Sequence, residues 1–246
     1  MSVRVFLPPA TLAAGRLSIT GDELHYLSRV RRLRAGDELL VSDGAGREAA
    51  ARLIALDRDE AVVEVGAIAR ANGIPPLTIA VAFAPVKGDR SEWAIQKLTE
   101  LGAHSLHPMQ TERSVVVLRG ARAETRAARY QAIATEAARQ SRAPIVPRVE
   151  RLAPLAEVIE RLAASPLKLA FWEGARGTPL RRALGSTPPK GAAIVIGPEG
   201  GLTADEIACA EAAGFSPVGL GPRILRAETA AIAAVAAIQH ALGDLG

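Results

Sequence analysis

Ile194-Val195-Ile196-Gly197-Pro198-Glu199-Gly200-Gly201-Leu202-Thr203-Ala204-Asp205-Glu206 is the stretch on which the fold turns. Ile194, Val195 and Ile196 read as a buried strand that empties directly into a glycine turn. Thr203 and Glu206 then stand at capping-box spacing, which starts a helix. Strand, tight turn and capped helix place a loop at the carboxyl end of a parallel strand, where open α/β sheets take ligands. Glycines let a backbone approach a ligand closely and offer unblocked N–H groups. The turn lacks the Gly-Lys-Ser/Thr of a phosphate loop and the GxGxxG of a dinucleotide turn. An ordinary tight turn stays open as the plain alternative.

A second glycine loop lies downstream, in Gly219-Leu220-Gly221-Pro222-Arg223-Ile224-Leu225-Arg226-Ala227-Glu228-Thr229-Ala230. It too leaves a short strand and enters a helix, whose Ile232, Val235 and Ile238 make it apolar enough to be buried. Arg226 and Glu228 sit at the mouth of that helix. Charged groups there either pair with each other or serve a ligand.

Upstream, strands alternate with helices, the texture of an α/β layer with a largely parallel sheet. Residues 77–84 are an apolar run broken only by Thr78, as expected of a strand covered on both faces, and 192–196 reads as a further core strand. Further strands are expected at 104–108, 114–118, 167–172 and 217–220. Helices are expected at 91–101, 121–141, 203–213 and 227–242, with Gly102 and Gly214 as stops.

Before residue 72 the pattern changes to short strands and turns, at 3–7, 16–19, 38–41, 48–56 and 61–67, which implies a small β-barrel. Asp43-Gly44-Ala45-Gly46 reads as a hairpin turn. A helix starts near Gly21, with Asp22 as its expected cap and Leu24, Leu27 and Val30 as its buried stripe. Asn72-Gly73-Ile74-Pro75-Pro76 is the linker candidate, dividing the chain into 1–71 and 72–246.

Composition excludes several classes. The chain has 246 residues and a single cysteine, Cys209, so an intrachain disulfide and a multi-thiolate metal site are ruled out. Its four histidines show no zincin or deaminase spacing. His104 and His107 could share a metal, but they flank a short strand and packing or surface roles are favoured, so no metal is expected. No run of about 20 apolar residues marks a membrane helix. The N-terminus lacks a signal-peptide core, so a cytoplasmic protein is expected. Net charge is +4, and the basic excess is densest at 113–151, where nine arginines face three glutamates. Arginine binds phosphate in a bidentate fork and stacks on bases, so the bias suits RNA; a genome-wide taste for arginine codons explains it equally well. Arg122, Arg126 and Arg129 fall on one side of the long helix, with Arg119 just before it, although a solvated face is the commoner reason for such a stripe.

Taken together, the run 196–202 and the run 220–230 resemble the signature of the RsmE family, 16S rRNA uracil-N3 methyltransferases of the SPOUT class. Lys97-Leu98-Thr99-Glu100-Leu101-Gly102, Glu112-Arg113-Ser114-Val115-Val116, and Glu136 with Gln140-Ser141 resemble it as well. So does His25-Tyr26-Leu27-Ser28-Arg29-Val30-Arg31-Arg32-Leu33-Arg34-Ala35-Gly36-Asp37. The likeness spans nearly the whole chain. One departure stands at Ala143, where the family commonly has an arginine; Arg142 is its neighbour.

The resemblance implies an α/β fold: a PUA-like RNA-binding β-barrel followed by a SPOUT domain with a trefoil knot. It also implies a homodimer that uses S-adenosyl-L-methionine and acts on 16S rRNA, within an assembled small subunit. Matching positions put the methyl donor against Ile196, Gly197, Glu199, Gly200, Gly201, Leu220, Gly221, Ile224 and Leu225. Trp172 and Glu173 close its adenine side. Arg113 and Arg226 are the expected base-orienting residues, with Glu228 as proton acceptor, directly or through water. RNA contacts are expected from Arg29, Arg31, Arg32, Arg34, Arg119, Arg122, Arg126, Arg129 and Arg142. Three rivals remain: a SPOUT enzyme acting on tRNA ribose or another base, a non-catalytic RNA-binding assembly factor, and a phosphate-binding enzyme.

Overall fold

The structure, a computed structural model, describes residues 3–117, 120–175, 178–185 and 189–246. They cluster into two compact units, 1–74 with 138–146, and 75–137 with 147–246.

In the first unit, strands β1 (Val3–Phe6), β2 (Gly15–Ile19), β3 (Glu38–Ser42), β4 (Arg47–Leu56), β5 (Ala61–Val65) and β6 (Ala69–Arg70) form one sheet. The order is β1-β3-β4-β5-β2, with β6 on β4; β1 and β3 are parallel and the other pairs antiparallel. Alternation aims Leu39, Val41, Leu53, Val63 and Val65 into one core. Helix α1 (Gly21–His25) starts at Thr20, whose side chain makes no capping bond, so Asp22 lies inside the first turn rather than at the cap. The helix runs into a π-helical turn, Tyr26–Val30. The wider turn keeps Leu24 and Leu27 buried but rotates Val30 outward, to 60% exposure. Residues 138–146 cluster with this unit, although their sequence neighbours do not. Arg139 pairs with Glu23 and lies 4.1 Å from the Tyr26 ring centroid. Arg4 donates to the Ala143 carbonyl at 2.7 Å.

The second unit is a parallel sheet wrapped by helices. Its elements are β7 (Thr78–Phe83), α2 (Arg90–Glu100), β8 (Ala103–Gln110), α3 (Ala121–Ser141), β9 (Arg148–Val149), β10 (Ala153–Pro154) and α4 (Leu155–Leu162). Then come β11 (Leu167–Phe171), α5 (Leu180–Ala183), β12 (Gly191–Ile196), α6 (Ala204–Ala212), β13 (Ser216–Val218) and α7 (Ala227–Leu242). Strand order is β10-β8-β7-β12-β11-β13, with β9 on β8. Every residue of β12 is buried because both of its faces are covered. β12 lies between β7 and β11, both earlier in the chain; all pairs are parallel, and strands are added on one side of β7 up to β10 and on the other from β11 onward. Ligand loops gather at such a switch point.

The expected strand at 114–118 is not formed at 114–117: Ser114 accepts the Thr111 N–H through its hydroxyl, and the segment turns there. α4 escaped the sequence reading, although Leu155, Val158, Ile159 and Leu162 stand at helical spacing and are all buried. Among the described residues no helix is long and apolar enough to cross a membrane.

Candidate functional site

At the carboxyl ends of β11, β12 and β13 the second unit opens into a cavity of about 110 Å³. One wall is the turn 197–201, which follows β12. Thr203 and Glu206 form the reciprocal capping box that starts α6. Glu206 also accepts the Glu112 N–H at 2.7 Å. Gly201 donates to the Pro198 carbonyl at 2.9 Å, closing the turn. A side chain at Gly197 would put its Cβ 2.9 Å from Leu202 Cγ and 3.1 Å from the Leu202 nitrogen, so only glycine permits this tightness. Arg113 donates from Nη1 to the Gly200 carbonyl at 2.8 Å, bracing the turn from outside.

The other wall is the loop 219–226. Gly219 donates to the Thr178 carbonyl at 3.0 Å. Among the described residues, no backbone N–H of 220–225 donates to the protein. Ile224 is 74% exposed while lining the cavity. Unclaimed N–H groups beside apolar side chains are what a polar, partly aromatic ligand needs. A third side comes from Trp172 and Glu173. The Trp172 ring folds over Gly174, where a Cβ would lie 2.5 Å from it.

The structure therefore brings Trp172, Glu173, Ile196, Gly197, Glu199, Gly201, Leu220, Gly221, Ile224 and Leu225 to one cavity. Gly200 does not line it; its α-carbon faces the Arg113 side chain. Phe171, Val218, Arg223 and Ala230 join the lining without having been singled out.

The three residues assigned to chemistry are spread further apart. Arg226 is exposed and caps α7. Glu228 is buried and borders a small adjoining cavity with Val86, Ser91 and Ala94. The Arg226–Glu228 pair left open by the sequence is not formed; the cation near Glu228 is Arg90, at 3.8 Å. Sequence reasoning passed over Arg90, in the Lys87-Gly88-Asp89-Arg90 turn, because one more arginine in an arginine-rich chain carries no signal.

Of the cations assigned to RNA, Arg29, Arg31, Arg32 and Arg34 are exposed in the first unit, as is Arg142. Arg122, Arg126 and Arg129 share a groove with Lys87 in the second. Arg129 binds Glu92 in a fork, at 2.5 and 2.7 Å, and this hydrogen bonding holds the Glu92 carboxyl below its ordinary range. Arg119 lies outside the described residues. His107 is buried and bonded to Ser105, and burial pushes its imidazole down toward the neutral form. Among the described residues no cluster of His, Cys, Asp or Glu is arranged to hold a metal.

Comparison with known proteins now sets the class. A family model described as an RNA methyltransferase domain matches residues 74–239, and one described as an RNA methyltransferase PUA domain matches 19–66. Ribosomal RNA small subunit methyltransferase E of Bacillus subtilis is 37% identical over 92% of this chain and 91% of its own length. The protein of the same name from Synechocystis is 36% identical, over 98% of this chain and 78% of its own. The Neisseria gonorrhoeae protein of that name, solved bound to S-adenosyl methionine, aligns over the whole of both chains with a TM-score of 0.89 and 32% identity. The chain belongs to the ribosomal RNA small subunit methyltransferase E family. Its fold is the SPOUT-type α/β domain joined to a PUA domain, as the resemblance implied.

Proposed function

We propose that this protein transfers a methyl group from S-adenosyl-L-methionine to N3 of a uridine in 16S rRNA. One observation carries the reading: a cavity between two glycine loops in which one loop leaves its N–H groups unclaimed. The bound donor would supply a methyl group on sulfonium, which bonds to N3 as the electrons of the broken S–C bond return to sulfur. The glycines of 197–201 let the backbone approach the donor, and Leu220, Ile224 and Leu225 cover its apolar parts. Trp172 and Glu173 close the adenine side.

N3 carries a weakly acidic proton, so transfer needs its removal and stabilisation of charge on the ring. The uridine must also be unpaired or flipped for N3 to be reached. Exposed Arg226 orients the base and offsets its charge, and Arg113 assists from behind the turn. Glu228, set back in the adjoining cavity, takes the proton through water rather than directly. A Glu228→Gln enzyme that keeps its single-turnover rate removes Glu228 from this role.

The first unit, within residues 1–71, grips RNA through Arg29, Arg31, Arg32 and Arg34, and the groove of Lys87, Arg122, Arg126 and Arg129 carries phosphates beside the donor domain. Arg142 and Arg119 are further RNA contacts in this reading. We further place the enzyme in the cytoplasm as a homodimer acting on an assembled small subunit, with the chain threaded as a trefoil knot where β12 enters between β7 and β11. Incubating purified protein with labelled donor and small subunits lacking the modification, then mapping the rRNA by mass, tests the reaction. One 3-methyluridine is expected. Label on a ribose, on another base or on tRNA instead would assign a different specificity, and no transfer would leave an RNA-binding protein.

A further inference from the structure

The two walls of the donor cavity are each tied to a glutamate, and one guanidinium reaches both. Glu199 lies on the 197–201 turn, and Glu228 in the first turn of α7, just after the 219–226 loop. Arg90, the first residue of α2, donates from Nη1 to Glu199 Oε1. The same Nη1 stands 3.8 Å from Glu228 Oε1. Its Nε donates to the Lys87 carbonyl at 3.4 Å, so the head group is also held by its own turn.

Glu228 needs such a partner. Its side chain is 6% exposed, and Oε2 has no hydrogen-bond partner. Its surroundings, Phe83, Ala84, Val86, Ala94, Ile196 and Ala231, are almost wholly apolar. A carboxylate in such a place is costly unless a cation faces it. Among the described residues, Arg90 is the cation within ion-pairing distance. Glu199 lines the donor cavity, whereas Arg90 does not. Arg90 therefore acts on the cavity through the two carboxylates.

We propose that Arg90 is a positioning residue for methyl transfer, bridging Glu199 and Glu228 so that the two glycine loops are held at the separation the donor requires. The inference rests on the cavity being the donor site. An arginine suits the task because its rigid guanidinium keeps Nη1 toward both carboxylates while Nε is held by the Lys87 carbonyl, which a lysine ammonium on a flexible stem does less well.

The test is calorimetric titration of S-adenosylmethionine into wild type, R90M, R90K, E199Q and R90M/E199Q, with circular dichroism confirming the fold of each. R90M is expected to weaken donor binding about tenfold, which corresponds to ~1.4 kcal/mol. The double variant should bind no more weakly than R90M alone, because the two residues act as one unit. In turnover, KM for the donor should rise in both R90M and E199Q, while kcat should fall in R90M alone, which leaves the proton acceptor Glu228 without its facing cation. A folded R90M with wild-type donor affinity overturns the proposal, as do additive effects in the cycle. If R90M does not fold, R90K decides: weaker binding than wild type supports the bridge, and equal binding overturns it. Wild type that fails to bind the donor sinks the donor reading itself, a different result.

Discussion

The glycine turn 43–46 and the glycine loop 219–226 look alike as sequence, yet they distribute their hydrogen bonds in opposite ways. In the first, Asp43 accepts from the Ala45 and Arg47 N–H groups at 2.8 and 2.9 Å and from Arg47 Nε at 2.7 Å. Gly44 N–H goes to the Ser42 hydroxyl, and the Gly44 and Gly46 carbonyls accept from Val146 and Ala71. Its donors are largely consumed internally, and the Asp43 side chain is 1% exposed. In the second, the donors of 220–225 find no protein partner among the described residues, and Ile224 stands in the open. A glycine turn that satisfies itself is architecture. One that leaves donors and an apolar side chain beside a cavity is built for something else to complete.

The largest effect that sharpens this contrast should come from Arg226→Ala. Loss of a group that stabilises charge on the reacting base should slow single-turnover methyl transfer about 10²- to 10³-fold, with folding stability unchanged. A rate within threefold of wild type, by about that scale of comparison, would take Arg226 out of the reaction.

Next is Asp43→Asn, which should cost about 1–3 kcal/mol in urea denaturation while leaving donor affinity alone. Burial would by itself raise the Asp43 carboxyl, but the hydrogen bonds from Arg47 and Ala45 outweigh it and hold the group below its ordinary range. Because the folded pKa is depressed, the wild-type advantage over Asp43→Asn is present above about pH 4 and fades as pH falls through the folded value. Melting temperatures of the two proteins should therefore converge in acid. A constant gap across that range, or a donor affinity that falls with stability, would break the contrast.

The smallest effect is expected at Ile224→Ala. Stability should stay within about 0.5 kcal/mol, as for other exposed positions. Donor binding should weaken several-fold, by roughly 0.8 kcal/mol for each methylene the donor no longer covers. A lower melting temperature with unchanged donor binding would assign Ile224 to packing instead.

Much of the second unit was legible in the chain. Residues 192–196 are apolar throughout and 77–84 apolar but for Thr78, which a strand covered on both faces demands, and α3 and α7 begin and end where spacing and breakers place them. Both glycine loops were readable as the ends of strands entering helices. Val30 was not, because helical spacing assumes 3.6 residues per turn and the π turn there departs from it. Nor was the association of 138–146 with the first unit, since Arg139 with Glu23 and Arg4 with Ala143 are contacts more than 100 residues apart in the chain.

Local chemistry by itself determined where most strands, turns and helix caps lie, and it offered 197–201 and 219–226 as candidate ligand loops, because those signals depend on neighbours within a few residues. Only the tertiary structure decided that β12 enters between β7 and β11, which sets the two loops across one cavity. It alone turned Glu228 away from Arg226 and toward Arg90. The reason is physical: a buried carboxylate takes whichever cation packing brings within reach, and sequence distance says nothing about that.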